Sequence, residues 1–176
     1  MPIETGTHTI GPSNGSLKIK TGKEGAAAKM GHDLVLGVNS WEATVEGGDS
    51  PTISLTADPG SVEVLEGSGG AKPLSDKDKA DIKKSTSGKV LGSSKITFQS
   101  SSVEDNGGQL IAKGNLSIAG KSTTVSVPLT VGGGKLSGSI KLSQGDFGIK
   151  QFSAMMGALK VKDQVEVVVE GQVPTD

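Results

Sequence analysis

The chain has 176 residues, about one domain at the usual ~150 residues per domain, and is read as a single domain over 1–176. Its net charge is -1, aromatic residues are 2%, and all 18 basic residues are lysine, so the basic excess, arginine forks and stacking rings of nucleic-acid binding are missing. No cysteine is present for disulfides or thiolate chemistry, and no apolar run nears the ~20 residues of a membrane span.

Glycine (27), serine (22) and proline (7) together make about a third of the chain, a share that by itself points to disorder. Leu, Ile, Val and Phe number 42, about a quarter, which is enough apolar material for a core, and that core must be aliphatic. The first ten residues lack a basic start and an apolar run, so no signal peptide is read there. The expected location is cytoplasmic, with a processed exported form left open.

Along the chain, apolar and polar residues alternate with period two, the pattern of a half-buried strand. Leu17 and Ile19 alternate with lysines. Leu34 and Leu36 follow, then Trp41, Ala43 and Val45, then Ile53, Leu55 and Ala57, then Val62 and Val64. Residues 75–84 break the pattern: Ser75 is a good N-cap, aspartates lead and lysines trail, so one short helix is predicted there. Alternation resumes at Ile96 and Phe98, at Leu116 and Ile118, and over Val125, Val127, Leu129 and Val131, the longest clean run. Residues 111–125 read as a meander. Ile140 and Leu142 come next, a second short helix or lid is expected at 152–159, and Val165, Val167 and Val169 close the series.

Glycine-rich turns separate these runs, at Gly47 and Gly48, at Asp58 to Gly60, at Asn106 to Gly108, at Gly120 and at Gly132 to Gly134. Eight or so short strands at this spacing make an antiparallel barrel or sandwich. A barrel of eight strands has room to be filled by side chains or to hold one ligand. Lined by Val, Ala, Leu and Ile, it either packs solid or keeps a dry hollow that favours an apolar guest.

Chemistry-bearing motifs are sparse. His8 and His32 are the only histidines, too few for a metal centre without scattered carboxylates, so no metal and no cofactor are expected. His32 reads as a polar anchor near a pocket mouth or as an ordinary hydrogen-bonded histidine. The glycines at 67–70 and 132–134 lack phosphate-loop spacing, no nucleophile elbow occurs, and the aspartates at 76, 78 and 81 lack the glycine and glutamate of a calcium loop. The densest apolar stretch is 146–157, with Phe147, Phe152, Met155 and Met156, an adaptable surface or a packed loop.

Seven stretches give the chain a family likeness: GHDL at 31–34, SVEVLEGSGG at 61–70, KPLSD at 72–76, ITFQS at 96–100, GNLSIAGK at 114–121, FGIK at 147–150 and GALKVKD at 157–163. In this order they resemble the YceI-like family of polyisoprenoid-binding, lipocalin-like barrels. The resemblance implies an all-β fold, an eight-stranded antiparallel lipocalin-like barrel with a short helical insertion. It also implies an apolar tunnel for a long-chain amphiphile, and homodimers. With no arginine, a diphosphate head would find only lysines and backbone donors, so a quinone, fatty acid or fatty amide fits the composition as well. The expected function is binding, sequestration or transport of such a ligand, without catalysis. The alternative is a filled-barrel interaction module with no ligand. Met30, Phe98, Phe147, Phe152, Met155 and Met156 are the expected lining or lid, with His32 and Trp41 near the mouth.

Overall fold

The computed structural model describes residues 3–175. Seven strands precede the helix: β1 (Gly6–Ile10), β2 (Gly15–Thr21), β3 (Lys23–Glu24), β4 (His32–Val38), β5 (Trp41–Gly47), β6 (Thr52–Ala57) and β7 (Val62–Gly69). Helix α1 (Asp76–Ser85) leads to β8 (Ile96–Asp105), β9 (Gln109–Ile118), β10 (Lys121–Gly132) and β11 (Lys135–Ser143). Two short strands, β12 (Ser153–Ala154) and β13 (Leu159–Val161), come before β14 (Gln164–Gln172).

Eleven of these strands form one antiparallel sheet in the order β1-β5-β6-β8-β9-β10-β11-β14-β2-β4-β7, and β12-β13-β3 form a second, small sheet. The main sheet curls into a barrel-like enclosure in which side chains from nearly all its strands face one interior. The expected count of eight strands is therefore corrected to eleven. One reason lies at the N-terminus, where the chain breaks between β1 and β2. Gly15 and Gly171 lie opposite each other across β2 and β14, and a Cβ on either would meet the Ile10 side chain. Two bare backbones thus let the end of β1 lie across the β2–β14 pair, while Asn14 Oδ1 accepts from the Gly11 amide at 2.8 Å to hold the turn. Threonines alternate in β1 where apolar residues would mark a strand, so its periodicity is hidden.

The sheet bends again where β8 carries an extra residue: Ser100 pairs with Gly114 and Ser102 with Lys113, leaving Ser101 unmatched. Residues 111–125 form one hairpin rather than a meander, because β9 runs unbroken to Ile118 and turns once at Ala119 and Gly120, both left-handed. Helix α1 starts as its sequence dictates. The Ser75 hydroxyl accepts from the Asp78 amide at 3.1 Å, and the Asp78 carboxylate accepts from the Ser75 amide at 3.0 Å. The second helix expected at 152–159 does not form. That stretch is strand, 3-10 turn and strand, with Met155 and Met156 both at positive φ.

One end of the enclosure is packed solid. Ile3, Leu110, Val131 and Val173 are buried there and border no cavity, while Ile10, Val45 and Leu136 are buried between them and the interior. The two chain ends meet over it, the Glu4 amide donating to the Pro174 carbonyl at 3.0 Å and Ile3 bridging Thr175.

Candidate functional site

Burial along the inward-facing strand positions falls from the packed end to the other. On β10, Val131 and Leu129 are buried but Val127 and Val125 only half so. On β14, Gly171 is buried while Val169, Val167 and Val165 are half-buried although all face inward. Inward side chains that keep accessible surface must border empty space. That space is a cavity of about 740 Å³, within the ~300–1,000 Å³ range of ligand pockets. Every strand of the main sheet except β7 contributes to its lining, which is chiefly Leu, Ile, Val and Ala. The interior is hollow, not filled.

The mouth is marked by the lining residues that solvent also reaches: Met30, Asp78, Asp81, Phe152 and Ala154, with Ser139 on β11 the one exposed lining residue elsewhere. Three elements frame it. Helix α1 turns one face inward, through Asp78, Asp81, Ile82 and Ser85, the i, i+3, i+4, i+7 spacing of a helical face. The small sheet supplies Lys23, Ala154, Leu159, Lys160 and Val161. The 3-10 turn Ala28–Met30 lies against it, the Ala27 amide donating to the Ala158 carbonyl at 2.8 Å. Lys83 fastens α1 to β7 through a 3.0 Å contact with Glu63.

Most polar atoms of the lining are engaged by the protein. Lys23 Nζ donates to the Gly31 carbonyl at 3.0 Å, His32 Nε2 to that of Lys72 at 2.7 Å, and Gln144 Nε2 to that of Lys162 at 2.9 Å. Among the described residues, Thr21 Oγ1 at the end of β2 is the buried side-chain polar atom without a partner. The Asp78 carboxyl is held below its ordinary value, first by the Ser75 amide, then by the Ser75 hydroxyl, with smaller help from Lys77 and His32. No group of three or more potential metal-ligating side chains occurs among the described residues; the His8 ring instead donates to the Glu4 carbonyl at 2.8 Å.

Five of the eight residues singled out from sequence line the cavity: Met30, His32, Phe98, Phe147 and Phe152. Phe98 and Phe147 are buried in its wall, whereas Met30 and Phe152 stand at the mouth. Trp41 is buried but belongs to the packed core at the start of β5, and Ala43 two residues on takes the lining place. Met155 and Met156 do not line the cavity; the left-handed turn that reverses the chain between β12 and β13 leaves both exposed. Thr21, Gln144 and the inner face of α1 carry no motif. Only the 78–82–85 spacing pointed to the helix face, and with Ile82 its one apolar member the signal is faint.

A family model described as YceI-like domain matches residues 9–173. The crystal structure of BcnA from Burkholderia cenocepacia superposes with a TM-score of 0.66 at 18% identity, covering 92% of this chain and 97% of that one. The crystal structure of a YceI protein from Campylobacter jejuni gives 0.59 at 13% identity, covering 80% and 84%. At such identities the likeness is one of fold. No curated protein sequence is significantly similar to the chain.

Proposed function

The chain belongs to the YceI-like family, known as polyisoprenoid-binding, and from that premise we propose that it is a carrier that sequesters one long-chain amphiphile inside its barrel. The observation behind this reading is the hollow of about 740 Å³ with its aliphatic wall. An interaction module with a filled interior would have no such space.

The chemistry is transfer of an apolar chain out of water. Each buried methylene gains ~0.8 kcal/mol, and fixing each rotor returns part of it, ~0.5 kcal/mol by analogy with long side chains. The unpaired Thr21 hydroxyl offers the ligand's polar end a single hydrogen bond. A hydroxyl donates and accepts, so it suits a neutral oxygen head such as an alcohol, quinone or amide. The lysines at the mouth, Lys23 and Lys160, suit a carboxylate. The work is binding rather than catalysis, with α1 and the small sheet as the gate.

Native mass spectrometry of freshly purified protein, followed by organic extraction, tests the reading. One co-purifying amphiphile per chain is the expected result. A ligand-free mass, together with failure to take up added isoprenoids, quinones and fatty amides, would refute it.

A further inference from the structure

Two segments beside the mouth carry exposed side chains that the carrier reading does not use: Lys29, Lys150, Met155, Met156 and Lys162. In 149–162 the turn between β12 and β13 presents Met155 at 51% exposure and Met156 fully exposed. Both adopt left-handed backbone that non-glycine residues rarely take. Neither touches the cavity. The adjoining segment 22–31 presents Met30, which is 53% exposed. The segments are joined by β3–β13 pairing, and Gly31 lies against the Leu159 side chain.

Their charge is lopsided. They hold Lys23, Lys29, Lys150, Lys160 and Lys162 against one acid, Glu24, for a net of 5 − 1 = +4, while the whole chain is -1. Glu24 is itself bonded by the Gln151 side-chain amide. Across the mouth, α1 has three aspartates and four lysines from Asp76 to Ser85, so it does not oppose this field. Exposed apolar side chains on a strained tip, surrounded by lysines and beside the opening of an apolar cavity, match a surface that is anionic outside and apolar beneath.

We propose that the mouth docks on an anionic lipid bilayer, with Met155 and Met156 entering the acyl region and the exposed Lys29, Lys150 and Lys162 resting on the head groups. The use of the contact rests on the carrier reading, since it brings the mouth to the membrane in which a long-chain amphiphile dissolves. The contact itself needs no cargo.

Co-sedimentation of the full chain with vesicles tests this. Vesicles of equal phosphatidylcholine and phosphatidylglycerol should retain the protein, and pure phosphatidylcholine should not. Retention should vanish in ~1 M salt, where the screening length is ~3 Å. Each lysine near such a surface is worth about fivefold in partition, so Lys29→Glu with Lys150→Glu should lower it at least ~25-fold. Met155→Ser with Met156→Ser should lower it about tenfold or more. All four side chains are exposed and none of them lines the cavity, so uptake of a detergent-solubilised isoprenoid alcohol should be unchanged in both variants. Equal retention on neutral vesicles, or retention unchanged in both variants, would overturn the proposal. So would a dimer of the parent chain that the methionine variant alone makes monomeric, because a second copy would then be the occupant. Vesicle binding without cargo uptake would refute the carrier reading and leave the docking surface standing.

Discussion

Affinity should depend on ligand length in a way the cavity sets. Taking a methylene as about the size of a water molecule, whose share of the liquid is ~30 Å³, a hollow of about 740 Å³ holds roughly 25 chain carbons. Burial at ~0.8 kcal/mol per methylene less ~0.5 for the fixed rotor leaves about 0.3 kcal/mol each. That matches the ~0.3 kcal/mol per atom typical of drug-sized ligands. A filling chain then gains about 7.5 kcal/mol, a Kd of a few micromolar. Across a homologous series of isoprenoid or straight-chain alcohols, Kd should fall about 1.7-fold per carbon and level off near 25 carbons. Val167 lines the cavity from β14 and is half-buried. Val167→Trp adds seven heavy atoms to the hollow, so the plateau should move to roughly 18 carbons. The added bulk enters empty space, so the overpacking penalty of ~1–3 kcal/mol should be largely avoided. Native mass spectrometry or titration calorimetry reads both quantities. Affinity independent of length, or a plateau that Val167→Trp does not shorten, would refute the reasoning.

Thr21→Val removes the hydroxyl that has no partner, so the ligand-free protein should gain about 1 kcal/mol by denaturant unfolding, while an alcohol loses affinity relative to a hydrocarbon of equal length. Loss of stability on that substitution would mean the hydroxyl is already satisfied. Phe147 is 3% exposed, and Phe147→Ala should cost about 3 kcal/mol, the low end for a buried phenylalanine because the site borders a hollow. Calorimetry should show Tm lowered by roughly 6–12 °C. Acid should loosen the gate. The folded Asp78 pKa lies below its ordinary 3.8, so its support for the start of α1 is complete above pH 3.8 and fades as pH falls through the lower folded value. Ligand release should accelerate over that range, and Asp78→Ala should release quickly at every pH.

Legibility in the sequence followed how far each feature depends on a single residue's type. The alternation over 125–131 gave β10 because burial on one face of a strand needs period two, and the Ser75 cap gave the start of α1 because few side chains reach the third amide. Phe98 and Phe147 were visible as lining candidates because so few large apolar residues exist to choose from. β1 was not legible, since Thr7, His8 and Thr9 pair with β5 without displaying an apolar face. The orientation of Met155 and Met156 was equally hidden, because it follows from left-handed backbone that methionine does not announce. Thr21 is one hydroxyl among many, and only the curl of the sheet leaves its oxygen without a partner.

Whether the interior is hollow is a question of summed volume rather than pattern. Val127 on β10 and Val165, Val167 and Val169 on β14 face the hollow, whereas Leu110, Val131 and Val173 are buried outside it on the packed side, where residues 3–4 and 174–175 pair. With three phenylalanines and one tryptophan in the whole chain, no set of large rings remains to fill the other half. A wall that borders empty space forfeits the dispersion contacts a packed core would make. A chain ligand restores them, so binding and stability are linked: at a hundredfold excess over Kd the folded state gains ~2.7 kcal/mol. The lack of aromatic bulk leaves the hollow half without those contacts, and on the proposed carrier function that same lack would tie its stability to an apolar guest.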